Sequence, residues 1–195
     1  MFILAIKRLR TSIETALNRI ILYRARVKCE KWPRCDGDLM IIRNSGTIKI
    51  ARDVRFVNST RINMAGVNKP CSIAVGVNGS LFIGKNSGFS GCSIVCEDLI
   101  VIGDYCTIGA NVSIYDNDFH ALPYLDRRLG DPSKIKHSRI KIGNDVFIGA
   151  NSILLKGTHI GDRTIIGAGS VVTGFIPKDQ VWGGNPAHFI RNLKC

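Results

Sequence analysis

An aliphatic residue returns every six positions near the end of this chain, at Ile142, Ile148, Leu154, Ile160, Ile166 and Val172. Glycine directly follows four of them, at Gly143, Gly149, Gly161 and Gly167. The same beat recurs earlier at Ile102, Ile108 and Ile114, and before that at Val77, Ile83, Phe89 and Val95, with a slip near "EDLI". Weaker turns run from Ile50 through Phe56 to Ile62. A helix needs a period of about 3.6 and a half-buried strand a period of 2, so a sustained period of six is neither. It fits a coil of three short strands per turn. Each strand sends one aliphatic side chain inward before a corner served by Gly, Asn or Asp. Stacked coils pair strand to strand in parallel, about 4.8 Å apart. Residues 50–177, less a break of about twenty, give about six coils of eighteen residues.

The break lies in "IYDNDFHALPYLDRRLGDPSKIKHSRIKIG". Residues 121–139 lose the beat, hold two prolines and many charges, and read as a loop leaving a rigid scaffold. His120 opens it. A histidine, with a reference pKa of about 6.5, suits proton transfer near neutral pH. A carboxylate or a carbonyl should orient its second ring nitrogen. Asp118 and Asp116 precede it at two-residue spacing, so on an extended strand all three point to one side. The same pattern could instead hold a metal, for which one histidine and two carboxylates are a sparse set, or both aspartates could only form turns. Of the other histidines, His159 reads as a solvated corner residue, His137 as a loop residue and His188 as part of the tail.

The first 34 residues stand apart. They carry nine Lys or Arg against Glu14 and Glu30, in a chain of net charge +12. From residue 3 to 28, Ile6, Leu9, Ile13, Leu17, Ile20 and Ile21 recur at helical spacing opposite a basic face. Such a helix caps the end of the coil or lies on an anionic membrane, with capping favoured because solenoids need closed ends. "KWPRCDGD" then reads as a linker, dividing a basic helical segment (1–34) from a coil domain (35–195). The segment lacks the aromatic interleaving of nucleic-acid binders, and nucleic acid is not an expected partner. No apolar run reaches the roughly 18 residues of a membrane span, and "MFILAIKRLR" lacks a signal-peptide core and cleavage site. A cytoplasmic protein is expected, its seven cysteines buried, reduced core thiols.

The hexapeptides resemble those of the left-handed parallel β-helix acyltransferases. "VFIGANSILLKGTHIGDRTIIGAGSVVTGFIPKDQVWGGNPAHFIRNL" is similar to the C-terminal signature of the maltose, galactoside and xenobiotic O-acetyltransferases. "DNDFH" is similar to a motif of members that acetylate bacterial surface polysaccharides. The left hand is implied by the resemblance alone, against the usual right-handed rule for parallel crossovers. So is the rest of the functional reading: acetyl-CoA as donor, a carbohydrate hydroxyl as acceptor, His120 as general base, and a homotrimer whose loops reach a neighbouring subunit.

For acetyl-CoA, the resemblance implies pantetheine contacts at Ala150 and Ala168, a contact at Thr173, and a phosphate partner in Arg191. Gly174 stands where many relatives have lysine, which leaves Lys178 or the loop arginines for that contact, and Phe147 replaces a frequent tryptophan. Gly88 and Cys96 take the places of the Asn and Asp that hold sugar in galactoside and maltose enzymes, which points away from those acceptors. The function implied is acetylation of another sugar, in surface polysaccharide biosynthesis. A xenobiotic or other small-molecule acetyltransferase and a non-catalytic scaffold are the alternatives. A γ-class carbonic anhydrase needs three zinc histidines from neighbouring coils, and His120, His137, His159 and His188 do not supply its five-residue pair.

Overall fold

The computed structural model describes the backbone of residues 2–193 and the side chains of residues 10–193. Three sheets wrap one core, and the chain visits them in strict rotation. The first sheet runs from Lys28–Cys29 to Phe175–Ile176, the second from Arg34–Asp36 to Gln180–Gly183, and the third from Ile41–Asn44 to Val171–Val172. All pairings within this coil are parallel, and the register slips once, between Ile108 and Ala110 against Gly88–Ser90. Six turns are complete. A seventh stops after Gln180–Gly183, where His188–Asn192 returns antiparallel and closes the second sheet.

The coil therefore begins at Lys28, well before Ile50, and part of "KWPRCDGD" is strand instead of linker. The first turn is closed by Val27, Cys35 and Met40, whose spacing hides the six-residue beat. Asp36 holds it to the second turn, accepting from Arg34 Nε at 2.9 Å and Arg55 Nε at 2.7 Å.

Ile142, Ile148, Leu154, Ile160, Ile166 and Val172 are each at most 1% exposed, stacked along the prism axis. Burying one such side chain is worth roughly 1.5–3 kcal/mol. The earlier run keeps a different phase. Ile83 and Phe89 face inward, but Val77 is 78% exposed and Val95 faces outward between buried Ile94 and Cys96. Val77 sits on a tight turn in which the Gly79 amide donates to the Gly76 carbonyl at 2.9 Å. Five cysteines are buried free thiols and Cys29 is half-buried, while Cys195 lies outside the described residues.

The corners follow a rule the composition only hinted at. Three residues after many of the inward aliphatics the backbone enters the left-handed region, with φ of 56° to 60° at Asp53, Asn86, Asn111, Asp145, Asn151 and Asp179, and also at Tyr105 and Arg163. Asn and Asp tolerate that region because a short polar side chain bonds locally. The glycines directly after the aliphatic residues do another job. A Cβ on Gly149 would lie 2.4 Å from the Ala168 amide nitrogen, and one on Gly161 would lie 2.4 Å from that of Lys178. They let successive coils touch.

Helix α1, Phe2–Arg24, covers the open first turn. Leu22 is fully buried there, and buried Asn18 accepts from the Met40 amide at 2.8 Å. This is the capping role, performed by a face other than the apolar stripe. Ile13, Leu17 and Ile20 are between 41% and 51% exposed, Ile21 is half-buried, and the side chains of Ile6 and Leu9 lie outside the described residues. No described helix is long and apolar enough to cross a membrane.

Candidate active site

His120 lies where the fourth turn leaves the third sheet and the loop departs. The strand Ser113–Tyr115 ends before Asp116, and Phe119 has φ of 59°, so the chain is not extended from Asp116 to His120. The two aspartates are consequently separated. Asp116 is fully buried and accepts from the amides of Glu97 at 2.8 Å and Asp98 at 2.9 Å, pinning the corner of the preceding turn. Asp118 accepts from Lys156 Nζ at 2.5 Å through Oδ1, while its Oδ2 is buried with no hydrogen-bond partner. Its backbone carbonyl accepts from the His120 amide at 2.6 Å. The His120 ring is exposed, with no hydrogen-bond partner among the described residues.

The loop is not featureless. It carries helix α2, Tyr124–Leu129, and a 3-10 turn at Pro132–Lys134. A bridge from Asn117 to His137 ties its two stems, and the Ser138 amide donates to the Asp116 carbonyl at 2.8 Å. Arg127 Nη1 donates to the Ala121 and Leu122 carbonyls at 3.2 and 2.9 Å, bracing the segment just after His120. Tyr124, Leu125 and Leu129 are exposed.

Ala150 and Ala168 stack at the corner between the second and third sheets, where the Gly169 amide donates to the Ala150 carbonyl at 2.8 Å. Thr173 lies on the corner that carries His120, two turns further on. Lys178 occupies the remaining corner, between the first and second sheets. Arg191 is exposed on the closing strand, opposite Val181. Cys96 is fully buried toward the core and lines no surface, whereas Gly88 faces outward with open space above it. Lys156 was not legible as a site residue. A lysine between Leu154 and Gly157 carries no sign of a partner 38 positions earlier.

The described chain is thus a three-sided coil with a histidine at the root of the longer of its two extrusions, residues 116–139 after a shorter one at 58–71. The model of the "Bacterial transferase hexapeptide (six repeats)" family matches residues 139–174. A hexapeptide-repeat containing acetyltransferase of Vibrio cholerae is 31% identical, with a TM-score of 0.58, over 65% of this chain and 69% of that one. The same Vibrio protein has also been solved with acetyl coenzyme A. Galactoside O-acetyltransferase of Escherichia coli is 34% identical over 131 residues, 66% of this chain and 61% of that protein. A putative lipopolysaccharide biosynthesis O-acetyl transferase of Escherichia coli is 29% identical over 75% of this chain and 88% of that protein. The chain belongs to the hexapeptide-repeat acetyltransferases, and its coil is the left-handed parallel β-helix of that family.

Proposed function

We propose that this protein moves the acetyl group of acetyl-CoA to a hydroxyl of a sugar destined for a bacterial surface polysaccharide. The observation that carries the reading is the free, exposed His120 ring at the root of the loop, beside the partly buried Asp118–Lys156 pair. An alcohol is a poor nucleophile while it keeps its proton. His120 Nε2 takes that proton as the hydroxyl oxygen attacks the thioester carbonyl. A backbone N–H of a neighbouring coil stabilises the tetrahedral oxyanion. The C–S bond then breaks, and the CoA sulfur recovers the proton from His120. Ala150, Ala168 and Thr173 flank the donor's path and Arg191 meets a CoA phosphate. Lys178, on another corner, reaches the donor only from its own side of the prism.

The reading includes a homotrimer with sites between subunits. Its support is the outer face of the third sheet, where Ser72, Ser93 and Ser113 form one row beside Ala74 and Val95, with a charge only at Arg43 in the first turn. It also includes residence at the cytoplasmic face of an anionic membrane, supported by the exposed Ile13, Leu17 and Ile20 of α1 and its basic flank. Sedimentation at micromolar concentration and vesicle pelleting with an Ile13/Leu17/Ile20→Ser variant test these two parts separately.

His120→Ala is expected to lower kcat by about 10²–10⁴-fold with acetyl-CoA affinity nearly unchanged. Arg191→Ala should weaken acetyl-CoA binding with a milder loss at saturation. A correctly assembled His120→Ala that turned over a sugar acceptor at the parent rate would end the assignment.

A further inference from the structure

The register of the first sheet places seven outward residues in a single row, one from each strand. In order along the prism they are Lys28, Lys49, Phe82, Val101, Lys141, His159 and Phe175. Buried neighbours such as Ile48 and Ile50, or Ile140 and Ile142, fix their outward direction. At about 4.8 Å per strand the row is roughly 29 Å long. Thr47 and Ser80 pair with each other in a second row beside it.

We propose that this face is a track for an acidic glycan chain, which carries the hydroxyl acetylated in the reaction proposed above. The inference rests on that reading for the identity of the acceptor, and on the following chemistry for the track. Along one line Lys28 and Lys49 precede the apolar Phe82 and Val101, and Lys141 precedes the His159 and Phe175 rings. Lys49 Nζ lies 5.4 Å from the centre of the Phe82 ring, and the His159 and Phe175 rings meet edge to face at 5.4 Å. Phe175 is 66% exposed. A groove of about 630 Å³ follows the row, lined by Lys28, Lys49, Phe82 and Val101. Its two acids are engaged: Asp104 lies 3.5 Å from Lys85 Nζ, and Glu30 accepts from the Arg52 amide at 3.3 Å.

Carboxylates spaced along a sugar chain suit separated lysines, and the C–H faces of sugar rings suit aromatic and aliphatic surface. A phosphate at every unit, as in a nucleic acid, calls for denser charge than three lysines over this length. The row lies on the sheet that follows the His120 corner in each turn: His159 comes three residues after Lys156, while the groove borders the opposite corner, between the first and second sheets.

The test is retardation of the full-length protein in gels containing polygalacturonate, without acetyl-CoA, compared with neutral dextran and with competition by a single-stranded oligonucleotide. The parent should be retarded by polygalacturonate and not by dextran. Lys49→Glu with Lys141→Glu should weaken the interaction by about tenfold at low salt. Phe175→Ala should weaken it less, and all three side chains are exposed, so thermal unfolding should be unchanged. No retardation of the parent, or equal retardation of the double variant, overturns the track. An oligonucleotide that displaces the glycan at equal concentration overturns it in favour of a general polyanion surface. Acetyl transfer to a monosaccharide, measured in parallel, separates the outcomes: a variant that loses only retardation supports the track. A parent that is retarded but transfers no acetyl group to any sugar keeps the track and ends the acetyltransferase reading.

Discussion

Lys156 Nζ sits 2.5 Å from Asp118 Oδ1, joining the turn that carries His120 to the equivalent turn of the next coil. The pair is partly buried, with side-chain exposures of 30% and 15%. The Asp118 carbonyl in turn holds the His120 amide. In the reaction proposed above, Lys156 acts on His120 through Asp118, as a positioning residue.

Lys156→Met should leave the coil folded, at a cost of about 1–3 kcal/mol for an orphaned carboxylate in a half-solvated place. The catalytic loss should be larger, on the order of 10–100-fold in kcat, because small displacements of the proposed general base are costly. Acetyl-CoA KM should stay within error, and Lys156→Arg should recover most of the rate. A uniform loss of KM, kcat and stability in both variants would show that the pair only braces the loop.

Asp116 gives the opposite expectation. Both its oxygens are committed to the Glu97 and Asp98 amides. Asp116→Ala strands two donors in a buried corner, and about 2–4 kcal/mol of destabilisation should follow. Asp116→Asn keeps one acceptor oxygen and should lose less. Denaturant unfolding of the two variants decides it; equal stability with the parent would return Asp116 to the catalytic list.

Much of this was readable in the sequence, for a definite reason. The aliphatic beat survives from Ile102 to Val172 because each of these inward positions, one at the same place in every strand, is buried in the same prism interior. It fades before Ile83 because Cys35, Met40 and Cys71 take inward places in the first turns at other spacings. The position of His120 was readable because the break in period is itself a signal. The relation of Asp116 to Asp118 was not, since it depends on where the strand stops and on the left-handed backbone at Phe119. Lys156 depends on stacking between coils, which no local pattern encodes.

The glycine reading can be tested by one contrast. Gly149→Ala would put a Cβ 2.4 Å from backbone of the next coil, where no side chain can move aside. It should destabilise by about 1–3 kcal/mol, the usual scale for overpacking. Gly88→Ala meets nothing within 4 Å and its φ is not positive, so it should be neutral or slightly stabilising. If both behave alike in thermal unfolding, close stacking is not what the repeated glycine provides.

Burial of the core thiols has a consequence at high pH. Cys35 is pushed up to about 12 mainly by burial, with the neighbouring Cys71 and Asp36 adding to it. Cys96 is also pushed up to about 12, by burial and then by the Asp116 carboxylate, and Cys106 to about 11 by burial. Below the ordinary thiol value of 9.0 both folded and unfolded chains hold these protons, and stability is independent of them. Above it the unfolded chain releases protons that the folded chain keeps, so stability falls as pH rises toward 11–12. Each such thiol contributes a slope of about 1.4 kcal/mol per pH unit within its window. Lysines and tyrosines titrate in the same range, so the informative quantity is a difference between variants. Cys106 stacks against Val146 of the next coil, which shows that valine fits this kind of corner. Cys106→Val should match the parent at pH 7 and become relatively more stable between pH 9 and about 11. Denaturant unfolding at pH 7, 9 and 10.5 would reveal it, and parallel loss of stability in the two proteins across that range would show that Cys106 keeps no proton the unfolded chain releases.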